Sequence, residues 1–309
     1  GGGMLISSSS NVTLLGCQVL SNKARTDGGG LYLIEETTAT VTDCLVQGNE
    51  AGNDGGGLAV SDVAAPVLTN ITVALNSAHL KGGGLYIEGG SGLLLTDSDI
   101  AENTALIGGG IFAEEQAEFE ISDSTVESNN ARSGGGVYAM CSRSTIADVG
   151  IRNNTATYGG GIIALPCLLA EHALLLQRLE ISGNNAYQGG GVFVESIENP
   201  PPDVLLPANV KYTFENCTIS NNHADTGGGI YHAATAEVLL SFGPRCLLSG
   251  NVAESYGGAV FLGGGQPPTN QTVLLYNAAF EANQAYFAGS TIAFHSVPAG
   301  ETAVDVELF

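Results

Sequence analysis

Three aspartates, Asp97, Asp123 and Asp148, recur at intervals of 26 and 25 residues. If the chain winds with that period they stack, and stacked carboxylates must either share a cation such as calcium or stay well solvated. Aspartate also suits a turn for its own reasons, because its carboxylate bonds nearby backbone amides; the sequence favours that plainer role. The run "AEEQAEFE" sets Glu114, Glu115, Glu118 and Glu120 close together. Paired carboxylates perform acid–base chemistry on glycosides. In a chain with 31 Asp+Glu against 9 Lys+Arg, net charge −22, the same run reads first as a solvated acidic face. His79, His172, His223, His232 and His295 fall at unrelated spacings, so neither a catalytic triad nor a metal set emerges. The glycine runs are not followed by G-K-[ST] and are not phosphate loops. No catalytic residue and no cofactor is therefore expected, calcium at the three aspartates being the one weak candidate.

Six cysteines offer covalent chemistry instead. Cys17 and Cys44 each lie five residues before an asparagine that recurs along the chain, and so do Cys217 and Cys246. Cys141 and Cys167 follow glycine triplets by seven and eight residues. In a solenoid, equivalent residues of consecutive coils sit about 4.8 Å apart, inside the window for a disulfide. The expected bridges are Cys17–Cys44, Cys141–Cys167 and Cys217–Cys246, with small buried thiols as the alternative; bridges imply an oxidising compartment. N-glycosylation sequons begin at Asn11, Asn70, Asn153, Asn216 and Asn270. Asn70 and Asn216 share a turn column with Asp43, Asp97, Asp123, Asp148 and Asn277, and a solvent-exposed turn can accept sugar.

These groups are positioned by a repeat. Glycine triplets begin at Gly1, Gly28, Gly55, Gly82, Gly108, Gly134, Gly159, Gly189 and Gly227, with a variant "GGAV" at Gly257 and a decayed "AGSTI" at Ala288. The early steps are 27, 27, 27, 26, 26 and 25 residues, and later ones stretch to 30 and 38. Before each triplet stands hydrophobic-x-x-Asn-x-Ala, with asparagines Asn22, Asn49, Asn76, Asn103, Asn129, Asn154, Asn184, Asn222, Asn251 and Asn283. A fixed period in this range marks a solenoid, and the alternation of apolar residues within it marks strands rather than helices. One coil of about 26 residues cannot close a core alone, whereas stacked coils can. The fold class is all-β: a single-stranded right-handed parallel β-helix of about ten to eleven rungs, one domain over 1–309, roughly 50 Å long at the inter-strand spacing.

The stacking explains the columns. The first interior column is Leu31, Leu58, Leu85, Ile111, Val137, Ile162, Val192, Ile230 and Val260. The second is Val19, Val46, Val73, Ile100, Val126, Ile151, Ile181, Ile219, Leu248 and Phe280. The asparagines can form a ladder of side-chain amides at a buried turn, and the glycines a tight or left-handed turn. An aromatic column, Tyr32, Tyr86, Phe112, Tyr138, Phe193, Tyr231 and Phe261, alternates with the aliphatic one. If the aliphatic residues point inward, this stripe lies outside and offers a surface for sugar or lateral packing; an inward stack is equally open. Insertions "LPCLLAEHALLLQ", "SIENPPPDVLLPANVKY" and "GGGQPPTNQT", near 165–177, 195–213 and 263–272, fall at one corner, and Pro200, Pro201 and Pro202 stiffen the largest.

"GGAV" at Gly257–Val260 and "FEAN" at Phe280–Asn283 resemble the paired GGA-I/L/V and F-x-x-N motifs of the chlamydial polymorphic outer membrane proteins. Most other coils depart from that pattern, with a third glycine and Val or Ile in place of Phe. The resemblance covers the whole chain at the level of the repeat. It implies the passenger β-helix of a secreted surface adhesin, in the superfold shared with pectate lyases.

The charge disfavours nucleic acid and an anionic membrane surface as partners, and no apolar run is long enough to span a bilayer. The expected function is that of a non-catalytic extracellular structural protein, a rigid rod in a secreted fibre, sheath or cell-surface assembly. Its partners would be copies of itself or other extracellular structural proteins, joined laterally or end to end, with N-linked glycans. The alternative is an adhesin-type module that binds a glycan or receptor; a polysaccharide lyase or glycosidase comes third. The chain opens on a triplet and stops at "VDVELF", before the next Asn-x-Ala, so it reads as a segment of a longer protein.

Overall fold

Leu31-Tyr32-Leu33 is the repeating unit in miniature: two leucines buried inward, one aromatic turned outward. A strand presents alternate residues to opposite faces, so a chain that repeats this triplet every 26 or 27 residues can pair it only with its equivalent one coil away. The computed structural model describes residues 1–140, 142–165, 173–195, 210–233, 238–263, 271–275, 278–294 and 304–308. Three long parallel sheets run its length. Sheet A has eleven strands, from Met4–Ile6 to Ile292–Phe294; sheet B has eleven, from Asn11–Leu15 to Val304–Leu308; sheet C has ten, from Gln18–Leu20 to Ala279–Glu281. Each strand pairs with the equivalent strand of the coils before and after it. The rung is not limited to three strands. A short fourth element, such as Lys23–Ala24, Glu50–Ala51 and His223–Thr226, carries the repeating alanine.

The inward columns form one continuous core. In sheet A Leu31, Leu58, Leu85, Ile111, Val137 and Ile162 are in register and buried. In sheet C Val46, Val73, Ile100, Val126, Ile151 and Ile181 do the same. Sheet B adds a third column, Leu14, Val41, Leu68, Leu95, Ile121, Ile146, Leu176, Phe214 and Phe242, in which the two phenylalanine rings stack 5.1 Å apart. Burial of these side chains stabilises the fold by about 1.5–3 kcal/mol each relative to exposure.

The corners explain the glycines. Gly28 sits at φ 65°, in the left-handed region that L side chains rarely adopt. Gly29 lies outside that region, but a Cβ there would lie 2.3 Å from the Gly56 carbonyl oxygen of the next coil. Only the first glycine of the triplet serves the left-handed turn; the second permits close backbone approach. The corner between sheets B and C is turned by one left-handed residue: Gly16, Asp43, Asn70, Asp97, Asp123, Asp148, Arg178, Asn216 or Arg245, all with φ of 49–64°. Asp and Asn tolerate that conformation better than most residues, which is the recurring reason for this column. A second left-handed column, Ser21, Gly48, Leu75, Glu102, Ser128, Asn153, Gly183, Asn221, Gly250 and Ala282, immediately precedes the asparagines.

The three expected insertions lie largely outside the described residues. The strands that flank them, such as Ile162–Leu165 and Ala173–Gln177, belong to sheets A and B.

Candidate functional site

The ten asparagines stand in one column from Asn22 to Asn283. Asn129 represents them. Its Oδ1 accepts from the Asn103 backbone N–H at 2.9 Å and from Asn103 Nδ2 at 3.0 Å. Its Nδ2 donates to the Ile100 carbonyl at 2.9 Å and to Asn154 Oδ1 at 3.0 Å. All four bonds of the side-chain amide are made in a site closed to water. The side-chain link passes unbroken through every step of the column.

The aromatic column lies on the opposite, outer side of sheet A. Tyr86, Phe112 and Tyr138 stack at 5.9 and 5.0 Å, and Phe193, Tyr231 and Phe261 at 5.0 Å each. The stripe is outward yet not bare: Phe112 is 1% exposed and Phe193 4%. Residues of the corner that precedes each triplet cover it. Ile107 packs against Tyr86 and Phe112, the Lys81 ammonium lies 5.1 Å over the Phe112 ring, and Tyr256 leans on Phe261 at 6.4 Å.

Polar groups collect under this cover at one end of the stripe. Lys81 pairs with Glu114, which is buried. The Tyr86 hydroxyl touches Glu114 Oε1 at 2.9 Å and Glu88 Oε2 at 2.6 Å. One phenolic proton cannot serve two carboxylates. Burial, and then the charges of Glu115, Glu114 and Asp54, push the Glu88 carboxyl above its ordinary range, against the hydrogen bond from Tyr86, which lowers it. Burial raises Asp54 as well, and Tyr86 is pushed up by burial and by both glutamates. The four glutamates of "AEEQAEFE" thus do not form one cluster. Glu114 joins Lys81, Glu115 turns a corner at φ 55°, and Glu118 and Glu120 line a shallow groove of about 590 Å³ on the outer face of sheet B, beside Val67, Leu94 and Leu175.

A cavity of about 380 Å³ opens where Ile163 interrupts the ring column. Tyr138 and Phe193 flank the break, Tyr158 meets Phe193 edge-on at 5.9 Å, and Ser133, Gln188, Tyr231 and Ala233 also line it. Sequence reasoning placed the rings but missed Asp54, Lys81, Glu88, Ser133, Tyr158 and Gln188. The gap at position 163 in the aromatic column was the visible signal for the cavity.

The other expected sites are placed as follows. Cys17 and Cys44 are stacked in consecutive coils, as are Cys217 and Cys246, but all four are free thiols and the expected bridges are absent between them. The side chains of each pair interact with one another, and Cys217 Sγ also donates to Leu176 O and Cys246 Sγ to Phe214 O, both at 3.3 Å. The hydrogen bond to Cys246 and burial hold the Cys217 thiol well above its usual range. Cys141 and Cys167 lie outside the described residues. Asn11, Asn70, Asn153 and Asn216 are exposed; Asn270 lies outside the described residues, as do Asn277, His172 and His295.

Asp97 and Asp123 are exposed in consecutive coils, but Asp148 is engaged by the Arg178 guanidinium at 2.6 Å, which holds its carboxyl below the usual range. The stacked trio proposed for calcium is therefore not available as three free carboxylates. Among the described residues no three His, Cys, Asp or Glu side chains converge as a metal site. His79 is exposed, His223 meets Glu254 at 2.9 Å and His232 is buried.

Neither the curated proteins nor the solved structures contain a match to this chain. The family model described as the right handed beta helix region matches residues 2–165 and 83–273. Those two spans cover most of the sequence and coincide with the stacked parallel coils, so the chain belongs to the right-handed β-helix family.

Proposed function

We propose that the chain is a non-catalytic extracellular structural element, a rigid β-helical rod in a secreted fibre, sheath or cell-surface assembly. The observation that carries this reading is the unbroken asparagine ladder. Shear or bending between any two coils from Asn22 to Asn283 strains buried side-chain hydrogen bonds as well as three sheets. Unmade buried bonds are costly, so the rod resists deformation along its length. The repeat's likeness to polymorphic outer membrane proteins supports a surface setting. So do the exposed sequons at Asn11, Asn70, Asn153 and Asn216, which suit N-linked glycans. The partners are copies of the chain or other extracellular structural proteins, side by side or end to end. Electron microscopy of the protein taken from its native source without denaturation tests this. Filaments or sheaths with the β-helix as a shaft element are expected; isolated short rods would overturn the reading.

A second reading, an adhesin-type module, is favoured by the outer face of sheet A. There the cover over the ring stripe opens into a cavity with both aromatic and polar walls.

A further inference from the structure

We infer that the cavity at Ile163 is a binding site for one neutral pyranose unit of a glycan. This rests on the reading that the outer face of sheet A is a binding surface, and adds to it the place and the ligand class.

Two departures from the repeat create the cavity. The ring column runs Phe112, Tyr138, then Ile163, then Phe193, Tyr231. The rings on either side, Phe112–Tyr138 and Phe193–Tyr231, stack at 5.0 Å, so one missing ring leaves a slot between Tyr138 and Phe193, with the buried Ile163 in its lining. The covering corner changes over the same coils. It reads Lys81, Ile107, Ser133, Tyr158 and Gln188 in successive rungs. Lys81 and Ile107 close over Tyr86 and Phe112; Ser133 and Gln188 are polar and line the open cavity instead.

The walls select the ligand. Tyr138, Phe193 and Ile163 offer apolar surface, and ring faces attract the C–H face of a sugar ring. Ser133, Tyr158 and Gln188 contribute hydroxyls and an amide at the same cavity. A purely aromatic ligand would bury those polar groups without partners, which is unfavourable. A pyranose has an apolar face and a rim of hydroxyls and meets both kinds of wall. The volume, about 380 Å³, lies in the range of small-molecule sites. Among the described residues no Asp, Glu, Lys or Arg lines the cavity, which argues for an uncharged sugar.

The test is an NMR titration of the folded chain with methyl β-D-glucopyranoside, methyl β-D-galactopyranoside, N-acetylglucosamine, cellobiose and lactose, with phenol as the aromatic control. At least one sugar is expected to shift resonances of Ser133, Ile163 and Gln188. Ile163→Phe restores the ring column. It should fold, because Gly159 leaves the same space that Gly134 and Gly189 leave beside Tyr138 and Phe193. It should lose sugar binding by at least about tenfold while its melting temperature holds or rises. Gln188→Leu, which leaves the column intact, should weaken binding by about tenfold. Unchanged binding in Ile163→Phe, or binding of phenol in preference to every sugar, overturns the pyranose site. Shifts confined to another part of sheet A's outer face overturn the site but keep the binding surface. No shift with any probe overturns both.

Discussion

Two columns climb the rod on opposite sides of sheet A's corner, built by the same repeat and stacked at the same spacing. The inner one, the asparagine ladder, keeps one residue type through ten coils, and its interior members, such as Asn129, make all four bonds of the side-chain amide. The outer one, the ring stripe, substitutes Ala59 and Ile163, carries ionisable groups at one end and opens a cavity at the other break. The comparison separates two demands. A buried amide column tolerates no exception, since one missing member leaves polar groups of two neighbouring coils unpaired in a dry site. A ring stripe at the surface loses only dispersion and apolar contact when interrupted, so variation is affordable there and chemistry can collect in it.

Substitutions sharpen that contrast. The largest effect is expected for Asn129→Ala. It strands the Asn103 backbone N–H and side-chain amide and the Ile100 carbonyl together, and should cost roughly 4 kcal/mol. The shift of the denaturant midpoint measures it; a loss as small as that of a surface change would show that water repairs the ladder. Phe112→Leu removes a ring stacked on both sides but keeps most of the apolar volume, and should cost about 1.5 kcal/mol. If it matches Asn129→Ala, the two columns are energetically alike and the comparison breaks.

The polar end of the stripe makes a pH prediction. The folded carboxyl of Glu88 is raised above its ordinary value of 4.5. The contribution from this group is therefore full at pH below the unfolded value and is lost as pH rises through the folded one. Thermal melts from pH 4 to pH 8 should show a decline in wild type that Glu88→Gln flattens; an unchanged slope in the variant would remove Glu88 from the account. The smallest effect belongs to the left-handed corner. Asp123→Gly, at φ 49°, should change stability by no more than about 0.5 kcal/mol in either direction, because glycine accepts that conformation freely. A large loss would mean that the carboxylate, and not the backbone, holds the turn.

Much of this was legible in the sequence because a solenoid writes each contact as a recurrence. Asn22 to Asn283, the Leu31 and Val19 columns and the alternation of the rings all follow from residues that keep their type at a fixed period. What escaped lacks that constancy. Lys81, Tyr86, Glu88 and Glu114 occupy different positions in different coils, and only the winding brings them together. The left-handed column before the ladder runs Ser21, Gly48, Leu75, Glu102, a series with no common chemistry because its constraint is on the backbone. The third core column, in sheet B, was also written as a recurrence: Leu14, Val41, Leu68, Leu95, Ile121 and Ile146 each lie eight residues before a ladder asparagine. The cysteines were placed in the right coils, and the side chains of each stacked pair meet, here as free thiols.

The central claim is that the ladder is a continuous rigid frame and the outer stripe a variable face laid upon it. Hydrogen exchange resolved by residue tests it most directly. The backbone amides of Asn76, Asn103, Asn129, Asn154 and Asn184, each bonded to the next asparagine's side chain, should be among the slowest in the molecule. The corner amides of Ser133 and Gln188, over the cavity, should exchange by smaller openings. Ladder amides that exchange as fast as those corners would contradict the frame, and with it the rod.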